Sequence, residues 1–577
     1  MATLSGIYVG VSGLNVSQAA LNVTSHNLAN VDTAGYVRQQ VVQNDFMYRK
    51  LGDSHISIMQ QGLGANFAEV KQVRDSFLDR AFRQETGREA FYKAQYESVS
   101  EIETFFGELE GETFQNVLGK FWTSLQELAK EPDSVVARAA LIETAVTFVE
   151  RAENISNQLR DYQINLNTRI KDQVARINKI GHEIKALNIK IRQYESTGVE
   201  KANDLRDQRN MLLDELSGYA GITYKENPHG VVTVNLEGVP FVTEDNVYEL
   251  DTAPISDETG MLKPVWVAYG GADVYNLDRA YSSKDNTDLG SLKGLLTARG
   301  SKAARYTDIP VRENYASDPL YNQAVIDYNN TINNSVIMTV QAQFDQLIHG
   351  ITTTVNDILC PNKEVTLSDG SKIKILDEEN APVALDGVTM GEALFNRKSM
   401  PRYGESEEIE IINEDGDYEF ITARIYTEED PADNYTLFTL GEIEVNPKLL
   451  QNYSYIPLSS NTGTGDYDVE TAQKLLSSWQ EAFATLSPNS LTKNNFNEYY
   501  NSFISEIANR GEQLYTISAN QASMAESIDN QRMEVTGVSS DDELTNLIKY
   551  QHAYNASARY VTTVSQMLED IINKLGR

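Results

Sequence analysis

The chain has 577 residues, 41% of them hydrophobic, and carries 83 acidic against 49 basic side chains, a formal charge of -34. A chain this long exceeds a single core and divides into about three or four domains. One this acidic is repelled by nucleic acid and by anionic membranes, and its single cysteine, Cys360, permits neither an intrachain disulfide nor a cysteine-ligated zinc site and reads as a small buried apolar residue.

The opening stretch MATLSGIYVGVSGLNVSQAALNV has no basic n-region and no continuous apolar run of the signal-peptide kind, and no 18-residue apolar stretch exists to span a membrane. Composition and the missing signal peptide point to the cytoplasm by default. Leu4, Ile7, Val11, Leu14, Gln18, Leu21, Ser25 and Leu28 alternate at spacings of three and four, which predicts a coiled-coil seam on one side of a helix. The pattern stops at Leu28. Asn30 suits a left-handed helix end, and Gly35 can turn the chain into an extended Tyr36-Val37-Arg38 segment.

Residues 44–72, with His55 to Ile58 alternating and Gly62 and Gly64 following, read as an extended linker or hairpin. Gly62-Leu63-Gly64 lacks the third glycine and the Lys-Ser/Thr pair of a phosphate loop. From Val73 to about Tyr219 the pattern is helical, with breaks near Gly107 to Glu112 and at Pro132. The run 133–193 predicts one helix about 90 Å long. Lys201 to Ser217 (KANDLRDQRNMLLDELS) supplies a returning helix. At Ile222 the period changes to two, which predicts an antiparallel β unit over 222–285. Helix resumes at Gly290, and 318–359 reads as one further long helix. A β-rich insertion over 361–458 contains a hairpin candidate at Asp415-Gly416; Asp415, Asp417 and Glu419 do not extend into an EF-hand loop. Asn461 to Asp468 reads as a loop and Val469 to about Met533 as helix.

The last stretch, 541–577, carries the second seam: Leu544, Leu547, Gln551, Tyr554, Ala558, Val561, Ser565, Leu568, Ile572 and Leu575. The two diluted seams predict that the chain ends lie together. The expected fold class is an α+β multidomain chain, elongated and mainly α-helical, with terminal coiled-coil helices, a long-helix bundle domain and inserted antiparallel β domains. Its nested organisation places a discontinuous terminal domain at 1–43 and 536–577. The helix bundle follows at 44–221, 286–360 and 459–535, and the β insertions at 222–285 and 361–458.

The six histidines are scattered, and His182-Glu183 is followed by no second histidine where a zinc protease motif needs one. Without a nucleophile elbow, a Walker loop or a clustered acid pair, the expectation is a protein that is not an enzyme, with no cofactor and no metal.

Three separated stretches carry a family resemblance. Residues 25–36, SHNLANVDTAGY, resemble the NLANxxTxGY signature of flagellar rod, hook and hook-associated proteins. Residues 202–216, ANDLRDQRNMLLDEL, are similar to the NDLxDQRDxLLxELS helix of flagellar hook-associated protein 1, the hook-filament junction protein. Residues 543–559, ELTNLIKYQHAYNASAR, resemble the MxxLIxxQxAYxASAR end of the same family. The likeness covers roughly 1–220, 290–360 and 490–577, and the β segments carry no matching motif.

The resemblance implies a structural component of the bacterial flagellum, secreted unfolded through the flagellar type III apparatus without a cleavable signal peptide, and a place at the junction of hook and filament. The implied partners are further copies of the chain, hook protein, the second hook-filament junction protein, and a cytoplasmic export chaperone at the C-terminal helix; neither nucleic acid nor membrane is among them. The implied assembly interface comprises Leu4, Ile7, Val11, Leu14, Leu21, Leu28, Asn30, Gly35 and Tyr36 on one end and Leu544, Leu547, Tyr554, Arg559, Val561, Leu568, Ile572 and Leu575 on the other, with Arg559 as an exposed polar contact. Terminal helices that order only when neighbours complete the seam would delay polymerisation, because ordering costs about 1–2 kcal/mol per residue. The alternatives are a hook or rod axial protein, or an adhesin-like role for the β insertions.

Overall fold

A computed structural model describes residues 2–53, 58–107, 113–197, 201–256, 259–413, 417–459 and 469–575. The loop expected at Asn461 to Asp468 and the Asp415-Gly416 turn lie outside the described residues, as do the side chains of Leu4 and Leu575.

Helix α1 (Ala2–Ala29) is followed by strands β1 (Gln39–Asp45), β2 (Tyr48–Asp53), β3 (Ile58–Gly62) and β4 (Ala65–Gln72). β1 pairs with β4 and β2 with β3, both antiparallel, so the linker segment is a double hairpin. Gly64 sits at φ 115°, and a side chain there would strike the Ser12 Oγ of α1.

The helical domain begins with α2 (Ser76–Phe106), whose first turn is capped by Asp75 accepting from the Phe77 and Leu78 amides. It ends at Gly107 in the left-handed conformation. α3 (Phe114–Lys130) leads to α4 (Val135–Tyr194), a single 60-residue helix capped by Ser134. One stripe of α4, from Leu141 through Phe148, Ile155, Ile170 and Ile184 to Ile191, is buried throughout. Its polar remainder faces outward, as expected of a helix packed along one side. α5 (Asn203–Tyr219) returns along it.

Two three-stranded meanders, β5 (Ile222–Glu226), β6 (Val232–Leu236) and β7 (Val239–Val242), then β8 (Leu250–Pro254), β9 (Leu262–Trp266) and β10 (Ala272–Asp273), form the first β unit. α6 (Ser291–Arg299) re-enters the helical domain. The single helix expected over 318–359 is two, α7 (Asp318–Asn330) and α8 (Val336–Leu359). The break is chemical: Ser335 caps α8 by accepting from the Met338 amide, and its own hydroxyl donates to the Ala298 carbonyl.

The second insertion closes a four-stranded barrel, in the order β11 (Asn362–Leu367), β12 (Lys372–Leu376), β15 (Tyr418–Tyr426) and β14 (Tyr403–Ile412). The short pair β13 (Phe395–Arg397) and β16 (Ile443–Val445) and helix α9 (Pro447–Gln451) tie it to α4 and α8. The helix expected over 469–533 is also interrupted. α10 (Val469–Gln480) stops short of Pro488, and α11 (Phe496–Thr536) restarts on an Asn495-Glu498 capping box. α12 (Ser540–Leu575) follows after a two-residue gap in helix beyond Gly537.

One hydrophobic core runs without interruption from the helical domain into both β insertions. At its centre Phe106 and Phe114 pack edge-on against Phe344 at 5.2 and 5.0 Å, Phe121 stacks on Phe148, and Phe395 of the second insertion closes over both. α1 and α12 have no part in it.

Candidate assembly site

The two end helices lie antiparallel, and their contact is made by small residues. A side chain at Gly10 would come within 2.5 Å of Val561 Cγ2, one at Gly13 within 2.8 Å of the Ser557 Oγ, and one at Gly6 within 3.2 Å of the Tyr560 hydroxyl. The buried side of α1 continues from these glycines through Ser17, Ala20, Thr24 and Asn27. This stripe keeps the predicted 3-4 rhythm but sits one residue before it. Ile7, Leu14, Leu21 and Leu28 are half-buried beside the contact, and Val11 is 40% exposed. Backbones this close leave no room for leucine in the contact line, so the larger residues flank it.

On α12 the more buried positions are Glu543, Asn546, Leu547, Tyr550, Tyr554, Ser557, Ala558, Val561, Val564 and Leu568. Of the predicted positions, Leu547, Tyr554, Ala558, Val561 and Leu568 coincide with this stripe. Leu544 is 46% and Ile572 67% exposed, and Arg559 is exposed as well. Among the described residues of the two end helices and of 30–72, only Val16, Ala20, Val37 and Val564 are deeply buried apolar side chains. The pair therefore holds a thin core while showing Tyr8, Val11, Leu544, Ile548, Tyr560, Met567, Ile571 and Ile572 to solvent.

The three stretches that carry the family resemblance meet at the base of this pair. Asn27, 1% exposed, donates from Nδ2 to the Gln39 carbonyl at 2.9 Å and to Glu543 Oε2 at 3.2 Å. Its Oδ1 accepts from the Gln39 amide at 3.0 Å and the Tyr36 hydroxyl at 2.8 Å. Arg38 Nε donates to Glu543 Oε1 at 2.8 Å, and the Arg38 amide donates to the Thr536 carbonyl. From α5, Asp207 accepts from the Val37 amide and from Gln72 Nε2 at 2.6 Å, with Arg74 at 3.6 Å. Asn203 Nδ2 donates to Gln39 Oε1 and to the Val70 carbonyl. Arg532 of α11 completes the joint: it lies over the Phe82 ring and pairs with Asp214 at 2.7 Å.

Gly35 adopts φ 75°, and a side chain there would meet Met211 Sδ at 2.3 Å, so this position needs glycine both for its backbone and for its neighbour. Asn30 does not take the left-handed conformation expected of it. Its amide instead donates back to the His26 carbonyl at 2.9 Å while its Oδ1 accepts from the Thr33 hydroxyl, which fixes the helix end with ordinary backbone angles. Burial pushes the Asp207 carboxyl up to about 7, against the opposing pull of the Val37 amide, Arg74 and Gln72. Burial and the carboxylates of Asp204, Asp207 and Glu543 raise the Tyr36 phenol above its usual range, so it stays a donor.

Spacing did not single out Glu543, Asp207 or Asn27, yet all three stand inside the motif stretches. The available signal was a carboxylate at each of two motifs and one basic residue, Arg38, two positions after the third. Among the described residues no group of three His, Cys, Asp or Glu side chains is placed to hold a metal, and no helix is long and apolar enough to cross a membrane.

Residues 99–369 match the family described as the helical domain of flagellar hook-associated protein FlgK. Residues 7–36 match the flagella basal body rod protein family, and 529–575 the C-terminal region of flagellar basal body rod FlgEFG proteins. The chain is 24% identical to flagellar hook-associated protein 1 of Bacillus subtilis over 100% of its own length and 99% of the relative's. It is 24% identical to the protein of the same name in Escherichia coli, over 98% of each chain. The solved structure of the flagellar hook junction protein FlgK from Burkholderia pseudomallei superposes with a TM-score of 0.51 at 14% identity, covering 79% of this chain and 100% of that one.

Proposed function

Because the chain belongs to the flagellar hook-associated protein 1 family, we propose that it is a structural part of the bacterial flagellum that joins hook to filament and assembles axially through its end helices. One observation carries this reading: the α1–α12 pair is held by glycine-scale contacts over a thin core and leaves Tyr8, Val11, Leu544, Ile548, Ile571 and Ile572 uncovered. Two helices so weakly buried are marginal alone, since helical stability in proteins comes from packing. Neighbouring subunits supply the missing burial.

The exposed Val11 with the half-buried Ile7, Leu14, Leu21 and Leu28 beside it, and the exposed Leu544 and Ile572, meet neighbouring copies. Hook protein adjoins one end of the zone and the second junction protein the other, and an export chaperone holds α12 before assembly. The chain leaves the cell without a cleavable signal and does no catalysis. The rod-protein families match only the two ends, whereas 99–369 matches the junction-protein helical domain, which favours the junction over a rod or hook role. The experiment is a strain lacking the chain: hooks without filaments are expected, and hooks bearing long filaments overturn the reading. Removing 541–577 is expected to abolish chaperone binding; a truncated chain that still binds it refutes that assignment.

A further inference from the structure

Strand β5 lies at the edge of its meander, paired with β6 on one side. The bonds that flank the pair, from the Glu237 amide to the Gly221 carbonyl and from the Asn227 amide to the Val231 carbonyl, both at 2.9 Å, set its phase. By antiparallel alternation Gly221, Thr223, Lys225 and Asn227 turn their peptide groups to β6, while Ile222, Tyr224 and Glu226 turn theirs to the open side. A cavity of about 320 Å³ runs along residues 220–224, with Arg80, Arg83 and Gln84 of α2 across from them. Arg83 is committed to Asp214 at 2.6 Å and to the face of the Tyr224 ring. Arg80 donates to the Ser76 carbonyl of its own helix, and Lys225 is exposed; among the described residues neither forms an ion pair.

A second strand edge of the chain is complementary to this one. β14 pairs with β15 along its length but with β11 only at Ile411 and Ile412. The Asn413 amide bonded to the Asp417 carbonyl, and the Ser368 amide bonded to the Glu410 carbonyl, set its phase, so Ser406 and Glu408 turn their peptide groups to the open side. Glu405, Glu407 and Glu408 are exposed there and form no ion pair among the described residues.

An open strand edge takes an extended peptide, because only another main chain matches its alternating donors and acceptors. We infer that β5 receives β14 of a second copy of this chain as an added antiparallel strand, an inference that rests on the axial assembly proposed above. With Tyr224 opposite Glu408 and Glu226 opposite Ser406, the outward peptide groups of the two edges meet. Lys225 then stands opposite Glu407 in the closer, non-hydrogen-bonded pairing, and Glu408 enters the cavity beside Arg80. Charge selects this occupant. Two β14 edges repel each other through their glutamates, whereas β5 offers two cations that no carboxylate of the described chain engages.

The test is a disulfide between copies. In a non-hydrogen-bonded antiparallel pair the Cα atoms lie about 4.5 Å apart, within disulfide reach, and the chain's own Cys360 is buried. The K225C/E407C chain, oxidised in cells assembling flagella, is expected to yield covalent multimers of this chain. No multimer, a product with another protein only, or equal product from K225C or E407C alone overturns the inference. Charge reversal separates pairing from folding: R80E/K225E is expected to leave thermal unfolding of the purified chain unchanged and to lower filament-bearing hooks about tenfold, and E407K/E408R in the same chain to restore them. Assembly by R80E/K225E equal to the parent, or a loss that E407K/E408R does not rescue, sinks the added strand. The deletion strain keeps the two proposals apart: if it lacks filaments while R80E/K225E assembles normally, the junction role stands and the strand addition fails.

Discussion

Asn27 does from a helix what a neighbouring strand would do from a sheet, giving its amide donor and acceptor to the backbone of the single residue Gln39. The same device recurs at three further places where a helix holds a β segment. Asn178 pairs in this way with Leu250, Asn188 with Val232 and Asn356 with Phe395. A carboxamide is the one neutral side chain with the peptide's own donor and acceptor, so it closes an open strand position that would otherwise be buried unpaired. Asn27→Ala is expected to cost about 2–3 kcal/mol at the joint, read as faster amide exchange at residues 37–39. Asn30→Ala, which loses only local bonds at the helix end, is expected to cost about 1 kcal/mol or less; equal effects would contradict this placement. Asp207 gives a pH signature. Its folded value lies above the unfolded one of 3.8, so its contribution is full below about pH 4 and is lost as pH rises through about 7. Exchange at Val37, corrected for intrinsic rate, should therefore quicken between pH 5 and 8, and Asp207→Asn should flatten that dependence.

Between elements, the pairing of α1 with α12 sets a sharp contrast between adjacent positions. Gly10→Leu drives a side chain into Val561 and is expected to destabilise the pair by about 1–3 kcal/mol. Val11→Ala, on the exposed ridge, should leave the monomer within about 0.5 kcal/mol of the parent and weaken assembly instead. Circular dichroism of the purified chain and filament counts in cells separate the two effects. The sequence disclosed α4 almost to the residue, because sixty residues of unbroken 3-4 periodicity admit one structure. It also disclosed that the ends pair. The phase of that pairing was hidden: the eye follows Leu4, Ile7 and Val11, while the contact line is drawn by glycine and serine, which carry no hydrophobic signal. Likewise the α7–α8 break falls in the polar stretch Asn329-Asn330-Thr331-Ile332-Asn333-Asn334 closed by the Ser335 cap, which a periodicity reading of the flanking apolar residues passes over. The joint was legible as three motifs and illegible as one site, since Asn27 and Glu543 stand 516 residues apart.

Across the whole molecule, stability is unevenly distributed. The inner body shares one core, and the buried Trp266 and Trp479 belong to it along with the partly buried Trp122, whereas α1 and α12 stand outside. On heating, helix content measured by far-ultraviolet dichroism should fall first, as the end helices fray, with tryptophan fluorescence changing only at a later, higher transition. Coincident transitions would show that the end pair is not independent. Small-angle scattering should return a maximum dimension above about 90 Å, set by α4 alone.

The antiparallel closure of α1 on α12 also acts as a test of completeness. In the order of synthesis α1 precedes the inner body, and α12, which among the described elements packs on the glycines of α1, follows it. A copy cut short anywhere before Ser540 possesses the inner body and half of a joint, but no counterpart for Gly6, Gly10 and Gly13. Such a fragment has no finished end to offer a neighbour. In the assembly proposed above, a chain lacking α12 would therefore lack half of the paired surface that it offers to a neighbour.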